Sequence, residues 1–352
     1  MKITTIGLDV AKDVLQLHGV DERGHVVVSR QIKRGKVLEY FVNLEPCLVG
    51  MEACGGAHDW ARRLMGYGHQ VKLMASQFVK PYVKGNKNDM RDAEAICEAV
   101  TRPNMRFVPI KTAEQQALLS LHRGRQGYVK TRTAFANQIR GLLAEYGIVI
   151  KQGITHLYMR IPEILEDGEN GLPGTFRHLL ARLLTSLKEV DKQVNEMEGE
   201  IKSRHQENAA SLRLATIPGI GPLTASALAA TVGNATDFKS GRQLAAWLGL
   251  VPRQHSSGGK TNLLGISKRG DTYLRTLLIH GARAVIRVAP VKRKPDDWIN
   301  RLIGRRNKNI AAVAVANRNA RIAWALLTRQ EDYKPPENRH LPVPAAAAPC
   351  PA

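Results

Sequence analysis

Five short runs of apolar and β-branched residues fall within the first 75 positions, and their order restricts the fold more than anything else in the chain. ITTIGLDV (3–10), VLQLHGV (14–20) and HVVVSRQI (25–32) succeed one another across turn-length gaps, which reads as a three-strand meander. A helical stretch near Lys36–Leu44, the strand CLVGMEA (47–53), a helix around His58–Tyr67 and the strand QVKLMA (70–75) complete the series. Strands alternating with helices after a meander imply a mixed α/β sheet.

The order is also that of a ribonuclease-H-like nuclease domain. From Thr112 the pattern changes to two helical stretches, beginning TAEQQALLSLHRG and RHLLARLLTSLKE, each far longer than the average helix of about 11–12 residues. They read as the arms of a helical hairpin, with the Gly- and Pro-containing stretch near Gly153–Gly174 as its connecting loop. Leu179, Leu180, Leu183, Leu184, Leu187 and Val190 form a stripe that needs a partner helix, either the other arm or a second copy of the chain. A third module starts near Ala215 and runs to a helix ending at Thr328.

Charge narrows the partners. Lys and Arg number 52 against 31 Asp and Glu, a formal net charge of +21 that a polyanion would neutralise. Between Arg253 and Lys308 fourteen basic residues face three aspartates, so the surplus is concentrated in the third module. No apolar run of about 18 residues and no leader pattern is present, so the chain reads as a cytosolic protein without membrane contact. Cys47, Cys54, Cys97 and Cys350 lack metal-ligand spacing and read as ordinary thiols. The Pro- and Ala-rich text from Pro335 reads as a disordered tail.

Four carboxylates stand out. Asp9 in IGLDVAK and Glu52 in LVGMEACGG each end an apolar strand, where a charge is costly unless paired or metal-bound. In KGNKNDMRDAEAI, Asp89 and Asp92 lie three apart at a helix start and so share a face. Taken singly, Asp89 reads better as an N-cap and Asp9 as a turn residue than as metal ligands. As a set, four hard oxygen donors favour Mg²⁺ or Mn²⁺, and two such ions about 4 Å apart suit phosphoryl transfer. Lys84 and Lys87 in the same motif are candidate nucleic-acid contacts.

In the third module IPGIGPLTASAL has the Gly-hydrophobic-Gly turn of a helix-hairpin-helix element, with Gly219 and Gly221 as candidate phosphate-binding positions; an ordinary glycine-capped turn is the plain alternative. RQHSSGGK places Ser256 and Ser257 before two glycines in what reads as a loop without apolar periodicity. Arg253, His255, Lys260, Lys268, Arg269 and Arg275 around it are candidate phosphate contacts. Alone, such a run is more often a flexible loop than a nucleophile's seat.

Taken in order, GLDVAK, GMEACGG, KNDMRDAEAI, TIPGIGPLTASAL, LAAWLGLVPRQHSSGGK and GISKRGDTYLRTLLIHGAR resemble the bacterial DEDD-type insertion-sequence transposases of family one-hundred-ten, with its eleven-eleven subgroup, over nearly the whole chain. The resemblance implies a RuvC-like domain over 1–110, a coiled-coil hairpin serving dimerisation over 111–208, a mainly helical transposase domain over 209–333 and the tail over 334–352. It implies strand cleavage and rejoining of donor and target DNA through a phosphoserine link, with Asp9, Glu52, Asp89 and Asp92 as Mg²⁺ ligands. The nucleophile implied is Ser257, with Ser256 as the alternative register. It further implies a bridge RNA as guide, and dimers that join into a tetramer. A RuvC-like junction endonuclease acting without a covalent intermediate is the alternative function.

Overall fold

The computed structural model describes residues 2–85, 88–292, 294 and 297–334. Lys87, Cys350 and all but the first residue of the expected tail lie outside the described residues. The chain divides into two compact units, one of Met1–Ile201 with Ala230–Asp237, the other of Lys202–Ala229 with Phe238–Ala352.

In the first unit, β1 (Thr5–Asp9), β2 (Val14–Val20) and β3 (Val26–Lys33) form the expected antiparallel meander. A helical turn and α1 (Val37–Val42) lead to β4 (Leu48–Glu52), α2 (Ala57–Gly66) and β5 (Gln70–Met74). After α3 (Ser76–Val79) and α4 (Asp89–Val100) a two-residue strand, β6 (Phe107–Val108), adds an antiparallel edge. The sheet order is β3-β2-β1-β4-β5-β6, with β1, β4 and β5 parallel. The result is a mixed α/β layer whose core, including Ile6, Leu8, Leu17, Met51 and Leu73, is fully shielded from water. Burying each such side chain contributes about 1.5–3 kcal/mol.

Two helices of 32 and 33 residues follow, α5 (Ala113–Ala144) and, after an intervening element, α7 (Gly174–Gln206). Thr112 and Gln115 form a capping box that starts α5. Arg125 pairs with Glu198 and Arg132 with Asp191, so the arms run antiparallel. Leu180, Leu184 and Leu187 are buried within this pair, while Leu179 is exposed, so the stripe finds its partner inside the chain. The connection between the arms departs from expectation. The stretch Gly153–Gly174 is not a loop but holds a 13-residue helix, α6 (Ile154–Glu166), with Pro162 inside it. Leu157, Ile161 and Ile164, at helical spacing, are buried against the arms, and that burial outweighs the hydrogen bond Pro162 omits.

The second unit contains α8 (Ala209–Ala215), the start of α9 (Pro222–Val232), α10 (Gly241–Trp247), a hairpin of β7 (Pro252–Ser257) and β8 (Lys260–Ile266), α11 (Thr272–Lys292), α12 (Trp298–Arg305) and α13 (Lys308–Arg329). Helix α13 is its spine: α8, α10 and α11 all pack on it. Gly241 lets α10 approach closely, since a Cβ there would sit 2.8 Å from the Arg321 carbonyl oxygen. Among the described residues no helix is long and apolar enough to cross a membrane.

Candidate metal centre and serine hairpin

β1 and β4 are parallel neighbours in the register Leu8↔Met51, so Asp9 and Glu52 stand one step further on, at adjacent strand ends. The three residues before each of them are buried, and both carboxylates are partly exposed. Helix α4 lies directly over the two strands because glycines face it. A Cβ on Gly7 would lie 2.0 Å from the Ala93 oxygen, and one on Gly50 would lie 2.8 Å from the Val100 Cβ. The N-cap of α4 is Asn88, whose side chain accepts from the Met90 N–H. Capping therefore does not occupy Asp89, and Asp89 and Asp92 fall in the first turn of α4.

Oxygens of Asp9, Asp89 and Asp92 all come within 4.8 Å of one another. Burial, and then the negative charges of Asp92, Asp89 and Glu52, push the Asp9 carboxyl up to about 6, against a lowering hydrogen bond from the Val10 N–H. Three mutually repelling carboxylates with hard oxygen donors fit a divalent cation, which would remove the repulsion. Glu52 is outside this cluster: the Ser76 hydroxyl donates to its Oε2 at 2.8 Å, and it acts on Asp9 through its charge. No motif in the sequence singles out Ser76. Its signal is position, a hydroxyl directly after β5 and thus beside the end of β4. Lys84, expected as a nucleic-acid contact, pairs with Glu94 and Glu98 on α4.

Ser256 and Ser257 sit on a strand, which corrects the loop expected for them. β7 and β8 are antiparallel, and Ser257↔Lys260 closes a two-residue turn of Gly258 and Gly259. Their φ values of 55° and 75° are those a type I′ turn requires. All of β7 is exposed, and β8 likewise except Ile266. By the register, Gln254, Ser256, Thr261 and Leu263 share one face, and His255, Ser257, Lys260 and Asn262 the other. Ser256 accepts a hydrogen bond from Gln254 Nε2 at 2.7 Å.

Around the hairpin, Arg253, Lys268 and Arg269 are exposed. Arg275 is not available to a polyanion: it is 7% exposed, and its guanidinium donates to the carbonyls of Leu248 and Arg269 and to the Thr272 hydroxyl. Gly219 is also committed to packing. With φ of 89°, its Cβ would lie 2.9 Å from the Gly281 oxygen on α11, whereas Gly221, just before α9, faces open space.

The fold and the acidic cluster together define a protein with a mixed α/β sheet and carboxylates gathered at the ends of its parallel strands, a donor set that suits a divalent cation. A model of the DEDD-type IS110 transposases matches residues 6–148, and one described as the transposase IS116/IS110/IS902 family matches residues 211–295. The chain is 52% identical to a probable family 20 transposase of Pseudomonas aeruginosa, across 95% of this chain and all of that one. It is 49% identical to the transposase for insertion sequence element IS1111A of Coxiella burnetii, over 94% and 92% of the two chains. With the transposase for IS1328 of Yersinia enterocolitica it shares 42% identity over 93% and 97%. The chain belongs to the IS110/IS116/IS902 family of insertion-sequence transposases, enzymes that cleave and rejoin DNA strands.

Proposed function

We propose that this transposase moves DNA strands by two successive phosphoryl transfers through Ser257, and that it also uses a RuvC-like, ribonuclease-H-like domain whose Asp9, Glu52, Asp89 and Asp92 hold Mg²⁺ or Mn²⁺. The observation that carries the carboxylate half is the convergence of Asp9, Asp89 and Asp92 within 4.8 Å. When bound, the cation supplies charge neutralisation at the scissile phosphate and lowers the barrier to its attack. For the serine half, the support is the hairpin register, which sets Ser257 on the face of His255 and Lys260 and leaves Ser256 on the other, bonded to Gln254.

In the first transfer the Ser257 Oγ attacks phosphorus. The new P–Oγ bond forms as the bond to the sugar oxygen breaks, the serine proton passes to His255 or water, and the leaving oxygen takes up a proton. In the second, a hydroxyl of the strand to be joined attacks the phosphoserine, and Ser257 leaves with its proton restored. No water is consumed, so the bond energy is retained. Arg253, Lys260, Lys268 and Arg269 would hold backbone phosphates. Sequence choice is assigned to a bridge RNA pairing with donor and target DNA, which leaves the side chains free of base reading. The division into a 1–110 nuclease domain, a 111–208 hairpin and a 209–333 transposase domain fits dimers, through the arms, that pair into a tetramer.

The test is a denaturing gel of protein, element-end DNA, guide RNA and Mg²⁺. A heat- and detergent-resistant protein–DNA adduct, lost in Ser257→Ala and Asp9→Ala and kept in Ser256→Ala, is expected. Cleavage without an adduct and insensitive to Ser257→Ala overturns the serine mechanism and leaves a hydrolytic, RuvC-like nuclease.

A further inference from the structure

A two-stranded ribbon with nearly every residue in water is marginal by itself, so the angle at which β7–β8 projects must be set where it leaves the fold. That base is unusually tight. The Ser267 N–H donates to the Val251 carbonyl at 2.8 Å and the Lys268 N–H to the Gly249 carbonyl at 3.2 Å, which ties the outgoing leg to the incoming one. Gly249 and Gly270 both have positive φ. A Cβ on the first would lie 2.1 Å from the Arg269 oxygen, and one on the second 1.9 Å from the Trp247 oxygen, so the two legs touch backbone to backbone.

Arg275 lies beneath this junction in the first turn of α11. Its Nη1 donates to Leu248 on the incoming leg and to Arg269 on the outgoing leg, each at 3.2 Å, and its Nη2 to Thr272 at 3.1 Å. From α13, Asn317 adds a bond to the Leu250 carbonyl at 3.2 Å. Burying a guanidinium against neutral oxygens is costly, and a planar fork that spans two legs is a shape lysine cannot copy. Among the described residues Arg275 is the one buried arginine, and it lies at the root of the element that carries Ser257.

We infer that Arg275 is a positioning residue for strand transfer, fixing the angle at which the β7–β8 hairpin presents Ser257. The inference rests on the reading of Ser257 as nucleophile. A displacement of about 1 Å between reacting atoms can cost about 100-fold in rate, so a looser hinge should be felt in chemistry before binding.

The experiment compares the full-length wild type, Arg275→Lys and Asn317→Ala. It measures adduct formation in a single turnover at saturating DNA, DNA affinity by fluorescence anisotropy, and hydrogen exchange of the 252–268 segment. Arg275→Lys is expected to slow adduct formation about 100-fold. It should leave the dissociation constant within about threefold and speed exchange at the Ser267 and Lys268 amides. Asn317→Ala, which frees one leg only, should slow the adduct about tenfold and carries the test if Arg275→Lys does not fold. Adduct formation at the wild-type rate in the folded variants overturns the inference. So does a loss confined to DNA affinity, which would make Arg275 a phosphate contact. A wild type that forms no adduct is a different failure, of the serine reading itself, and shows before Arg275 is changed.

Discussion

The carboxylate cluster and the serine hairpin hold their functional groups by opposite means. Asp9 and Glu52 each follow three buried residues of a six-stranded sheet, and α4 is clamped onto that sheet through Gly7 and Gly50. Ser257 rides on a two-stranded ribbon that buries no residue and is held at its root by backbone contacts, the Arg275 guanidinium and the Asn317 amide. The first site is rigid because it is part of a core; the second is free to meet a partner because it is not. Ions that must be held at fixed distances suit the first arrangement. The nucleophile proposed for the hairpin, which would have to reach a phosphate on a bulky duplex, suits the second.

The largest expected effect lies in the sheet-borne site. Asp9→Asn or Asp92→Asn should lower strand cleavage by about 1,000-fold or more, with DNA affinity unchanged or improved, because a negative charge has been removed near phosphate. Timed cleavage of labelled element-end DNA would measure this. Cleavage at the wild-type rate in either variant would detach the chemistry from the sheet and break the comparison at its root.

Next come two glycines, one from each region. Gly7→Ala drives a Cβ into the Ala93 carbonyl and should cost about 3 kcal/mol or more, a drop in Tm on the order of 10 °C. Gly258→Ala forces a side chain into φ of 55° at the hairpin turn. It should leave Tm within about 2 °C, since the ribbon is opened without the core. Equal losses in calorimetry would mean the hairpin is part of the cooperative unit after all. Smaller again is Ser76→Ala, which removes the hydroxyl orienting Glu52. The divalent-cation concentration for half-maximal cleavage should rise about tenfold, and no change would leave Glu52 outside the cation site.

The same contrast explains what the residues disclosed in advance. Strands 3–10, 14–20, 47–53 and 70–75 were legible because burial demands apolar runs, and the carboxylates as charges that interrupt them; 25–32, where only Ile32 is buried, showed through its β-branched valines. β6 is two residues long, too short for a period to register. α6 was hidden by the glycines that bound it and by Pro162, although Leu157, Ile161 and Ile164 keep helical spacing. The hairpin has water on both faces and so no alternation; only Gly258-Gly259 signals it. In the sequence Arg275 is indistinguishable from the surface charge, because nothing local separates an arginine that holds carbonyls from one that meets phosphate.

The smallest expected effect concerns stability and has the opposite sign to the catalytic one. Asp9 has a carboxyl raised to about 6 in the folded state, well above the usual value of an unfolded aspartate, so folding takes up a proton between these values. Stability of the ion-free protein is therefore greatest below pH 4 as far as this group is concerned, and declines as pH rises through about 6. The full shift corresponds to about 3 kcal/mol, which solvent screening of a partly exposed group reduces to about 1. Asp9→Asn should accordingly raise the Tm of the ion-free protein at pH 7.5 by about 2–4 °C while abolishing cleavage. Added divalent cation should raise Tm in the wild type and hardly at all in the variant. Thermal melts at pH 5 and pH 7.5, with and without the ion, separate the two contributions. A variant no more stable than the wild type at pH 7.5 would mean that the carboxylates repel one another too weakly to need an ion between them, and the sheet-borne site would lose the electrostatic strain that distinguishes it from the hairpin.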